Sequence, residues 1–417
     1  MSKIYVAKQG DTLEKIAAKT IGSGSLYQKI WYANPFIINK DIIPEGQKII
    51  IPDLNLLNSI PEQSANDKDK LTVNIDGVLL TNFFNVKILL SIDAAADSFI
   101  LSVPFDPNDK ELKELFKPFN FNNITIFIGN ELILNGFVVN IIPSVTDSSS
   151  AIIIEGYSKT GILNDCHFPP SSYPLEFNNL TLFDIVSQTA SYFNINAIDE
   201  AKDDYTFLDL DVKPETQAYD FISGLAKKRG VLLKSNNNGE LILKKSSLLD
   251  GSFTLEENSP GILNISTNYD GQKAFTTVTG ILNYNDDDDE PVANSTTEKD
   301  QFLIDSGVSR PFVYQLDNIE DGTITQSVKS KLRRGWGERI SYRMTVSGWR
   351  TPTGELWRDD LVFNLYYPSV MIYKTTKVIV KTSELIIDHE NNNFTELEVT
   401  LPQAYNDEPL ETLPWLN

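Results

Sequence analysis

The fold class is indicated by residues 124–142, which read ITIFIGNELILNGFVVNII. Three isoleucines alternate with Thr125 and Phe127, and this period of two is typical of a half-buried β-strand. Gly129-Asn130 then supplies a turn before a second apolar run, so the stretch predicts a β-hairpin. Similar runs recur over residues 71–156 and in the last third of the chain. The sequence therefore predicts a mainly β protein.

A helical pattern interrupts the strands over residues 178–245. The spacing of Thr181 and Asp184 predicts a capping box at the start of one amphipathic helix. A second helix ends at Lys227-Lys228-Arg229-Gly230, where cations in the last turn and a following glycine favour termination. Asn238-Gly239 then predicts the turn of a hairpin. This part is expected to be a small α+β unit lodged between two β-rich blocks.

Length and composition restrict the class of protein. The chain has 417 residues, of which 41% are apolar and 22% are charged. At about 100–200 residues per domain, this length fits two to four folded domains. No run approaches the roughly 20 apolar residues of a membrane-spanning helix, and the start lacks the apolar core of a secretory signal. We therefore expect neither a membrane segment nor export.

Residues suited to catalysis or metal binding are scarce. The chain contains Cys166, His167 and His389 as its only cysteine and histidines. One cysteine allows no internal disulfide, which fits synthesis in a reducing cytoplasm. In an extended segment, Cys166 and His167 would point to opposite faces and could not form a catalytic pair. With no phosphate-binding loop and no Cys-x-x-Cys pair, we expect no enzyme, no cofactor and no metal site.

The charge is distributed unevenly along the chain. The whole chain carries 36 basic and 57 acidic residues, a formal net charge of −21. Residues 1–53 hold seven lysines and five acidic residues, or +2, so the remainder carries 29 basic and 52 acidic residues, or −23. An acidic body is not expected to bind nucleic acid. The slightly basic start predicts a separate module, which we call the head, followed by a linker at residues 54–70.

A second charged feature lies in the polar stretch 283–300. It contains four consecutive aspartates, Asp286 to Asp289, and carboxylate oxygens are the ligands that Ca²⁺ prefers. Four adjacent side chains cannot all converge on one ion, and the spacing is not that of an EF-hand. A solvated loop is therefore favoured over a cation site.

The head has a pattern of its own. Ile4-Tyr5-Val6 predicts a strand, and Asp11 is expected to cap the following helix with Glu14 as its capping-box partner. A second short helix should end before Asn34-Pro35, because the residue before proline resists helix. An apolar strand over residues 48–52 completes the order strand, helix, helix, strand.

This head resembles a LysM module. The matching pieces are Tyr5, Gly10-Asp11-Thr12-Leu13, Ile16-Ala17, Asn34-Pro35, Ile43-Pro44-Glu45-Gly46-Gln47 and Ile49-Ile50-Ile51-Pro52. The resemblance implies a βααβ fold that binds N-acetylglucosamine chains such as peptidoglycan. Carried over, the groove consists of Gly10, Asp11, Thr12, Asn34, Pro35, Phe36 and Ile37. The same residues also suit a turn, a helix cap and a helix stop, so contact with protein stays an open alternative.

The body, from residue 71 to about 405, resembles the phage Mu-like tail proteins of the baseplate hub family. Relatives of that family are the phage late control protein D and the base of VgrG spikes. The supporting residues are Gly156-Tyr157-Ser158-Lys159-Thr160, Leu163-Asn164-Asp165-Cys166, Phe221-Ile222-Ser223-Gly224-Leu225-Ala226, Ser347-Gly348-Trp349 and Gly354-Glu355-Leu356-Trp357. The order of blocks, β-rich, α+β, helix and β-rich, also matches.

The resemblance implies two tube-like β-barrels per chain with a smaller domain between them. The predicted parts are a LysM head at 1–53, a linker at 54–70, a first barrel at 71–177, an α+β domain at 178–265 and a second barrel at 266–417. Trp349 and Trp357 are expected to be packing residues at a strand-turn-strand corner.

The implied function is that of a structural baseplate hub in a contractile tail or injection system. A homotrimer would adapt the six-fold inner tube to the three-fold spike, and the head would clamp neighbouring baseplate or sheath proteins or bind peptidoglycan. The expected location is the baseplate of a virion or contractile particle, after synthesis in the bacterial cytoplasm. The alternative is a cell-wall protein whose LysM module targets it to peptidoglycan for binding or degradation.

Overall fold

Strands form most of the regular structure in the computed structural model of the chain. The described residues are 3–22, 24, 27, 30, 34, 37, 40–51, 68–145, 150–245, 253–282, 295–316, 324–390, 392–405 and 413–416. The strands are β1 (Lys3–Val6), β2 (Lys48–Ile51), β3 (Leu71–Ile75), β4 (Val78–Leu80), β5 (Asn85–Ser91), β6 (Ser98–Pro104), β7 (Asn123–Ile128), β8 (Glu131–Val145), β9 (Ser150–Ser158), β10 (Leu175–Thr181), β11 (Ala197–Asp199), β12 (Thr206–Val212), β13 (Leu232–Ser235), β14 (Leu241–Lys244), β15 (Thr254–Glu256), β16 (Ile262–Tyr269), β17 (Thr277–Leu282), β18 (Ser295–Lys299), β19 (Pro311–Leu316), β20 (Ile340–Ser347), β21 (Val362–Tyr367), β22 (Ile372–Ile387) and β23 (Asn393–Thr400). The helices are α1 (Leu13–Ile21), α2 (Lys110–Leu115), α3 (Ile162–Asp165), α4 (Leu182–Ser191), α5 (Ala218–Lys228), α6 (Gln301–Ile304) and α7 (Ile324–Arg339).

The first of two compact units contains the head and the β-rich residues that follow it. Its ranges are Met1–Phe84, Ile100–Ser158 and Asn237–Gly239. Beyond the head, its strands lie in the order β6, β9, β8, β7, β3, β4. The predicted hairpin is confirmed as antiparallel β7 and β8, and the three isoleucines of β7 are fully buried. Gly136 is required where β8 meets β9, because a Cβ there would lie 1.8 Å from the carbonyl oxygen of Tyr157.

The second unit comprises Asn85–Phe99, Lys159–Asn236 and Glu240–Asn417. Its largest sheet has the order β16, β20, β23, β22, β5, with β21 pairing β22 and β15 pairing β21. Strand β22 is 16 residues long, and its C-terminal half pairs with both β23 and β5. A strand from the first predicted β-rich block thus completes the sheet of the second block.

The α+β part of the second unit forms around one apolar core. Helices α4 and α5 pack with the two-stranded sheet β10–β12 and the three-stranded sheet β11–β14–β13. The capping box predicted for α4 is confirmed, since Thr181 and Asp184 exchange hydrogen bonds at its first turn. Helix α5 ends as predicted before Gly230, whose φ of +68° suits glycine.

The second unit contains a separate small sheet that was not predicted from the sequence. Strands β18, β17 and β19 form this sheet, and α7 packs on it around Val278, Leu316, Ile324 and Val328. The apolar spacing of Val328 and Leu332 predicts a helix over residues 324–332, and α7 continues beyond it to Arg339. It extends because the last turns are held by tertiary packing, including the buried Trp336, despite two glycines.

The two tryptophans of the predicted corner are packing residues, as expected. Both Trp349 and Trp357 are fully buried. The indole N–H of Trp349 donates to the carbonyl oxygen of Ile386 at 3.1 Å. Trp357 makes edge-to-face contacts with Phe253 and Phe363, whose rings stack on each other. These contacts fix the turn between β20 and β21.

The mainly β class with α+β parts is confirmed, but the two barrels are not closed. Among the described strands, the strand order does not return to the strand from which it starts. Closure requires the end strands to pair with each other, and β4 is only three residues long. The tube-like barrels implied by the resemblance are therefore open sheets in this chain. The limits of the predicted domains remain a prediction.

The second helix predicted for the head lies largely outside the described residues.

The contact of α7 with the residues after β23 leads to a prediction about stability. A Cβ added at Gly337 would lie 2.7 Å from the Cβ of Ala404, a short side chain that cannot move aside. We expect Gly337→Ala to lower the free energy of unfolding of the second unit by about 1–3 kcal/mol.

Gly335→Ala is the matched control, since a Cβ there meets nothing within 4 Å. Because alanine has a higher helix propensity than glycine, Gly335→Ala should leave the free energy of unfolding unchanged or raise it by up to about 1 kcal/mol. Chemical denaturation of both variants checks the pair. Equal stabilities would mean that α7 does not pack against Ala404.

Candidate functional site

The candidate site lies in the head, whose core positions its loops. Strands β1 and β2 pair in antiparallel register, with Lys3 opposite Ile51 and Val6 opposite Lys48. Helix α1 packs against this sheet, and the buried residues of the head form a cluster of their own. The predicted groove residues are Gly10, Asp11 and Thr12 before α1, and Asn34, Pro35, Phe36 and Ile37 further along. Pro35 and Phe36 lie outside the described residues.

Asp11 does not cap α1, which corrects the sequence prediction. Its side chain is buried and accepts hydrogen bonds from the Tyr5 hydroxyl at 2.8 Å, the Lys8 backbone N–H at 2.9 Å and the Lys19 ammonium at 2.8 Å. The bond from Lys19 is the main cause that lowers the pKa of the Asp11 carboxyl from 3.8 to about 2, against the opposing effect of burial. Asp11 therefore ties β1, the turn and α1 together.

Thr12 is the residue that caps α1. Its hydroxyl accepts a hydrogen bond from the Lys15 backbone N–H at 3.2 Å. The Lys15 ammonium donates to the Gly10 carbonyl oxygen at 2.9 Å. Gly10 has a φ of +79°, a backbone conformation that glycine adopts more readily than other residues. Because the cap sits one residue later than predicted, Glu14 is not a capping-box partner. Gly10 and part of Thr12 are the accessible groups of this loop.

The second predicted loop is also held by internal contacts. Asn34 is fully buried, and its side-chain amide donates to the Ile30 carbonyl oxygen at 2.7 Å. The Ile37 backbone N–H donates to the Asn34 carbonyl oxygen at 3.0 Å, and the Ile37 side chain belongs to the core of the head. The described side chains of this loop thus hold the fold and do not face an open groove.

The head has an apolar surface that was not predicted from the sequence. Ile4 and Val6 are 67% and 53% exposed, and they lie on the face of β1 opposite Tyr5. Ile42 is 69% exposed in the segment before β2. A strand with apolar residues on both faces was the available signal, since Ile4-Tyr5-Val6 lacks the alternation of a half-buried strand. Such a surface suits contact with protein.

Other candidates from the sequence have structural surroundings. The carbonyl oxygen of Cys166 accepts a hydrogen bond from Ala218, and His167 forms a β-bridge with Gln217, so this dipeptide joins α3 to the start of α5. Within the described residues, no group of three or more His, Cys, Asp or Glu side chains could hold a metal ion. The run Asp286 to Asp289 lies outside the described residues. Of the helices that the structure describes, none is long and apolar enough to cross a membrane.

Two family models match the sequence. Residues 160–245 match the family described as baseplate hub protein gp44-like, second domain, and residues 5–52 match the LysM domain. The baseplate hub protein gp44 of Escherichia phage Mu is 24% identical over 345 residues, covering 80% of this chain and 88% of that protein. Both resemblances inferred from the sequence are confirmed.

Solved structures share the fold over most of the chain. The 43 kDa tail protein of prophage MuSo2 from Shewanella oneidensis has a TM-score of 0.69 at 22% identity and covers 81% of this chain and 100% of that one. A tail protein from Neisseria meningitidis MC58 has a TM-score of 0.67 at 16% identity and covers 81% and 97%, respectively. The mainly β architecture is therefore that of phage tail proteins.

The contacts of Asp11 predict how the head responds to pH. The folded head keeps this carboxylate ionised down to about pH 2, whereas its ordinary pKa is 3.8. Its stabilisation is therefore complete above about pH 4 and is lost as the pH falls through about 2. Asp11→Asn should destabilise α1 by about 1–3 kcal/mol at pH 6, and the difference from wild type should shrink towards pH 2.

Hydrogen exchange of the peptide carrying α1, measured from pH 6 to pH 2.5, checks this. Asp41→Asn is the control, because the carboxylate of Asp41 and the ammonium of Lys40, 3.2 Å apart, form a solvent-exposed pair. Such a pair contributes little to stability, so this variant should keep the protection of wild type. Equal protection in the two variants would contradict the assigned role of Asp11.

Proposed function

We propose that this chain is a structural baseplate hub protein of a contractile tail or injection system. The observation that carries the proposal is the match to a phage baseplate hub protein over 80% of the chain and 88% of that protein. The shared fold with two tail proteins supports it. Its location is then the baseplate of a virion or contractile particle.

The proposed mechanism is symmetry matching by a homotrimer. Each chain contributes two β-rich blocks, so three chains present six similar units to a six-fold inner tube. The three-fold spike docks on the opposite side. This role needs rigid packed surfaces and no catalytic step, which agrees with the structural surroundings of Cys166 and His167. A net charge of −21 also suits a passage through which DNA or other acidic cargo moves without sticking.

The head is proposed to clamp a neighbouring baseplate or sheath protein. Its acidic and amide side chains in the described part of the groove, Asp11 and Asn34, are occupied by internal hydrogen bonds. Its exposed apolar residues, Ile4, Val6 and Ile42, suit a protein surface. A head with a net charge of +2 also complements acidic neighbours.

The second candidate is glycan binding by the head. The match of residues 5–52 to the LysM domain favours it, because modules of that kind bind peptidoglycan. Contact would then involve Gly10 and Thr12, which are accessible, with Pro35 and Phe36 as the further predicted contacts. A cell-wall protein that uses this head for targeting is the corresponding alternative for the whole chain.

Deletion of residues 1–53 separates the two functions of the head. The clamp predicts that particles stall at baseplate assembly, because a docking contact is lost. Electron microscopy of lysates and a pull-down on purified peptidoglycan are the two readouts. Normal particles that adsorb poorly to peptidoglycan would instead assign the head to glycan.

A finer variant keeps the loops intact. Ile4→Ser with Val6→Ser removes the exposed apolar face of β1 and leaves Gly10 and Thr12 in place. The clamp predicts an assembly defect like that of the deletion, with peptidoglycan binding unchanged from wild type. Full assembly of the double variant would contradict docking through this face.

A further inference from the structure

A carboxyl group is buried in the connection between β5 and β6 of the second unit. Asp97 is 5% exposed, and its carboxyl oxygen accepts a hydrogen bond from the Ser91 backbone N–H at 3.1 Å. Burial of an ionised carboxylate is costly, because the charge loses its hydration. Asp97 therefore requires either a compensating positive charge or a bound proton.

The buried positive charge of this region serves a second carboxyl group. The ammonium of Lys234 on β13 lies 2.5 Å from Asp359 and 3.5 Å from Asp360. Lys234 and Asp359 are both buried, and they form an ion pair whose charges sum to zero. The charge of an ionised Asp97 would therefore be in excess within the buried part of this cluster.

The other charges of the cluster lie nearer to solvent. Lys244 on β14 lies 2.7 Å from Asp360, both side chains are 29% exposed, and their charges offset each other. Arg358 is half-buried and acts on Asp97 as a further positive charge, which is weakened by the nearby solvent. The charged groups that act on Asp97 and on its neighbour Asp359 are thus Lys234, Lys244, Arg358 and Asp360.

The surroundings of the cluster are apolar. Leu232, on the same strand as Lys234, is buried in an apolar cluster with Val362 of β21. Burial raises the pKa of Asp97 well above its ordinary value, and the negative charge of Asp359 raises it further. The positive charges of the cluster act in the opposite direction and are outweighed. The neutral acid is therefore the favoured form of this side chain.

We propose that Asp97 keeps its proton in the folded chain at neutral pH and forms, with Asp359 and Lys234, a proton-dependent latch between the hairpin β13–β14 and the largest sheet of the second unit. With the proton bound, the buried groups are one ammonium, one carboxylate and one neutral acid. Loss of the proton to solvent places a second negative charge beside Asp359. The hairpin then loosens, because water must enter to hydrate the new charge.

The sign of the pH dependence follows from the two states of Asp97. In the unfolded chain this carboxyl ionises near its ordinary pKa of 3.8, whereas in the folded chain it still holds its proton above that pH. The folded state therefore binds more protons, and the stability of the second unit falls as the pH rises above about 4. The fall ends at the pH at which Asp97 ionises within the fold.

The test is Asp97→Asn in the full chain, compared with wild type by chemical denaturation from pH 4 to pH 9. Tryptophan fluorescence reports on the second unit, which holds Trp336, Trp349, Trp357 and Trp415. Asparagine resembles the neutral acid and cannot ionise. The unfolding constant of wild type, divided by that of the variant, should therefore rise at least about tenfold between pH 4 and pH 7.

The matched control is Asp209→Asn, which removes an exposed carboxylate from β12 in the same unit. The ratio of unfolding constants for this control should be the same at every pH. A ratio for Asp97→Asn that is independent of pH, or that falls as the pH rises, would overturn the proposal whatever the stability of the variant at pH 4.

Two further measurements examine the latch directly. The infrared difference spectrum of wild type minus Asp97→Asn at pH 7 should contain the C=O stretch of a protonated carboxyl group, and its absence would overturn the proposal. Hydrogen exchange of wild type alone covers the case in which the variant does not fold. From pH 6 to pH 9, after correction for intrinsic exchange rates, the β13–β14 peptide should lose at least about tenfold more protection than the β22–β23 peptide. Equal losses would overturn the latch.

The latch acts within one chain, so its outcome is independent of the proposed hub. A chain that forms the hub without the predicted pH dependence would refute the latch alone. A chain with the predicted pH dependence that is absent from the baseplate would refute the hub and leave the latch standing.

Discussion

A group of ammonium and carboxylate charges, buried at Lys234 and Asp359 and half-buried at Lys244 and Asp360, holds the α+β part of the second unit to its largest sheet. Lys234 on β13 lies 2.5 Å from Asp359 and 3.5 Å from Asp360, and Lys244 on β14 reaches Asp360 at 2.7 Å. Burial alone would lower the pKa of Lys234, but Asp359 and Asp360 raise it above its ordinary value. Loss of one partner would leave a buried charge unpaired, which costs about 3–5 kcal/mol. The geometry of the hairpin β13–β14 is thus fixed by charge pairing as well as by its apolar core.

The head follows the same principle on a smaller scale. Asp11 and Lys19 join the turn to α1, and the amide of Asn34 is bound to Ile30, so these groups of the predicted groove are already engaged within the fold. Exposed apolar residues are available to partners, among them Ile4 and Val6 on the head and Phe119 and Phe121 in the first unit. Exposed apolar residues suit contact with protein, which favours the proposed hub over a cell-wall enzyme.

Local features were predictable from the sequence, and long-range ones were not. The capping box of α4 and the β7–β8 hairpin follow from residues a few positions apart, and both are confirmed. The pairing of β5 with β22 and the contact of Lys234 with Asp359 join residues more than a hundred positions apart, and no local pattern indicates them. The cap of α1 was misassigned because Asp11 and Thr12 are both good capping residues, and tertiary contacts with Tyr5 and Lys19 decide between them. The groove was predicted from a sequence motif, but Asp11, Asn34 and Ile37 of that motif stabilise the fold of the head through internal contacts.

In the proposed function, three copies of the chain form the axial hub of a contractile particle. The most direct measurement is electron cryomicroscopy of purified particles, with this chain located in the density of the baseplate and its copies counted. Three copies around the axis, between a six-fold tube and a three-fold spike, are the expected result. A ring of six copies, or a location of the chain away from the tail axis, would contradict it.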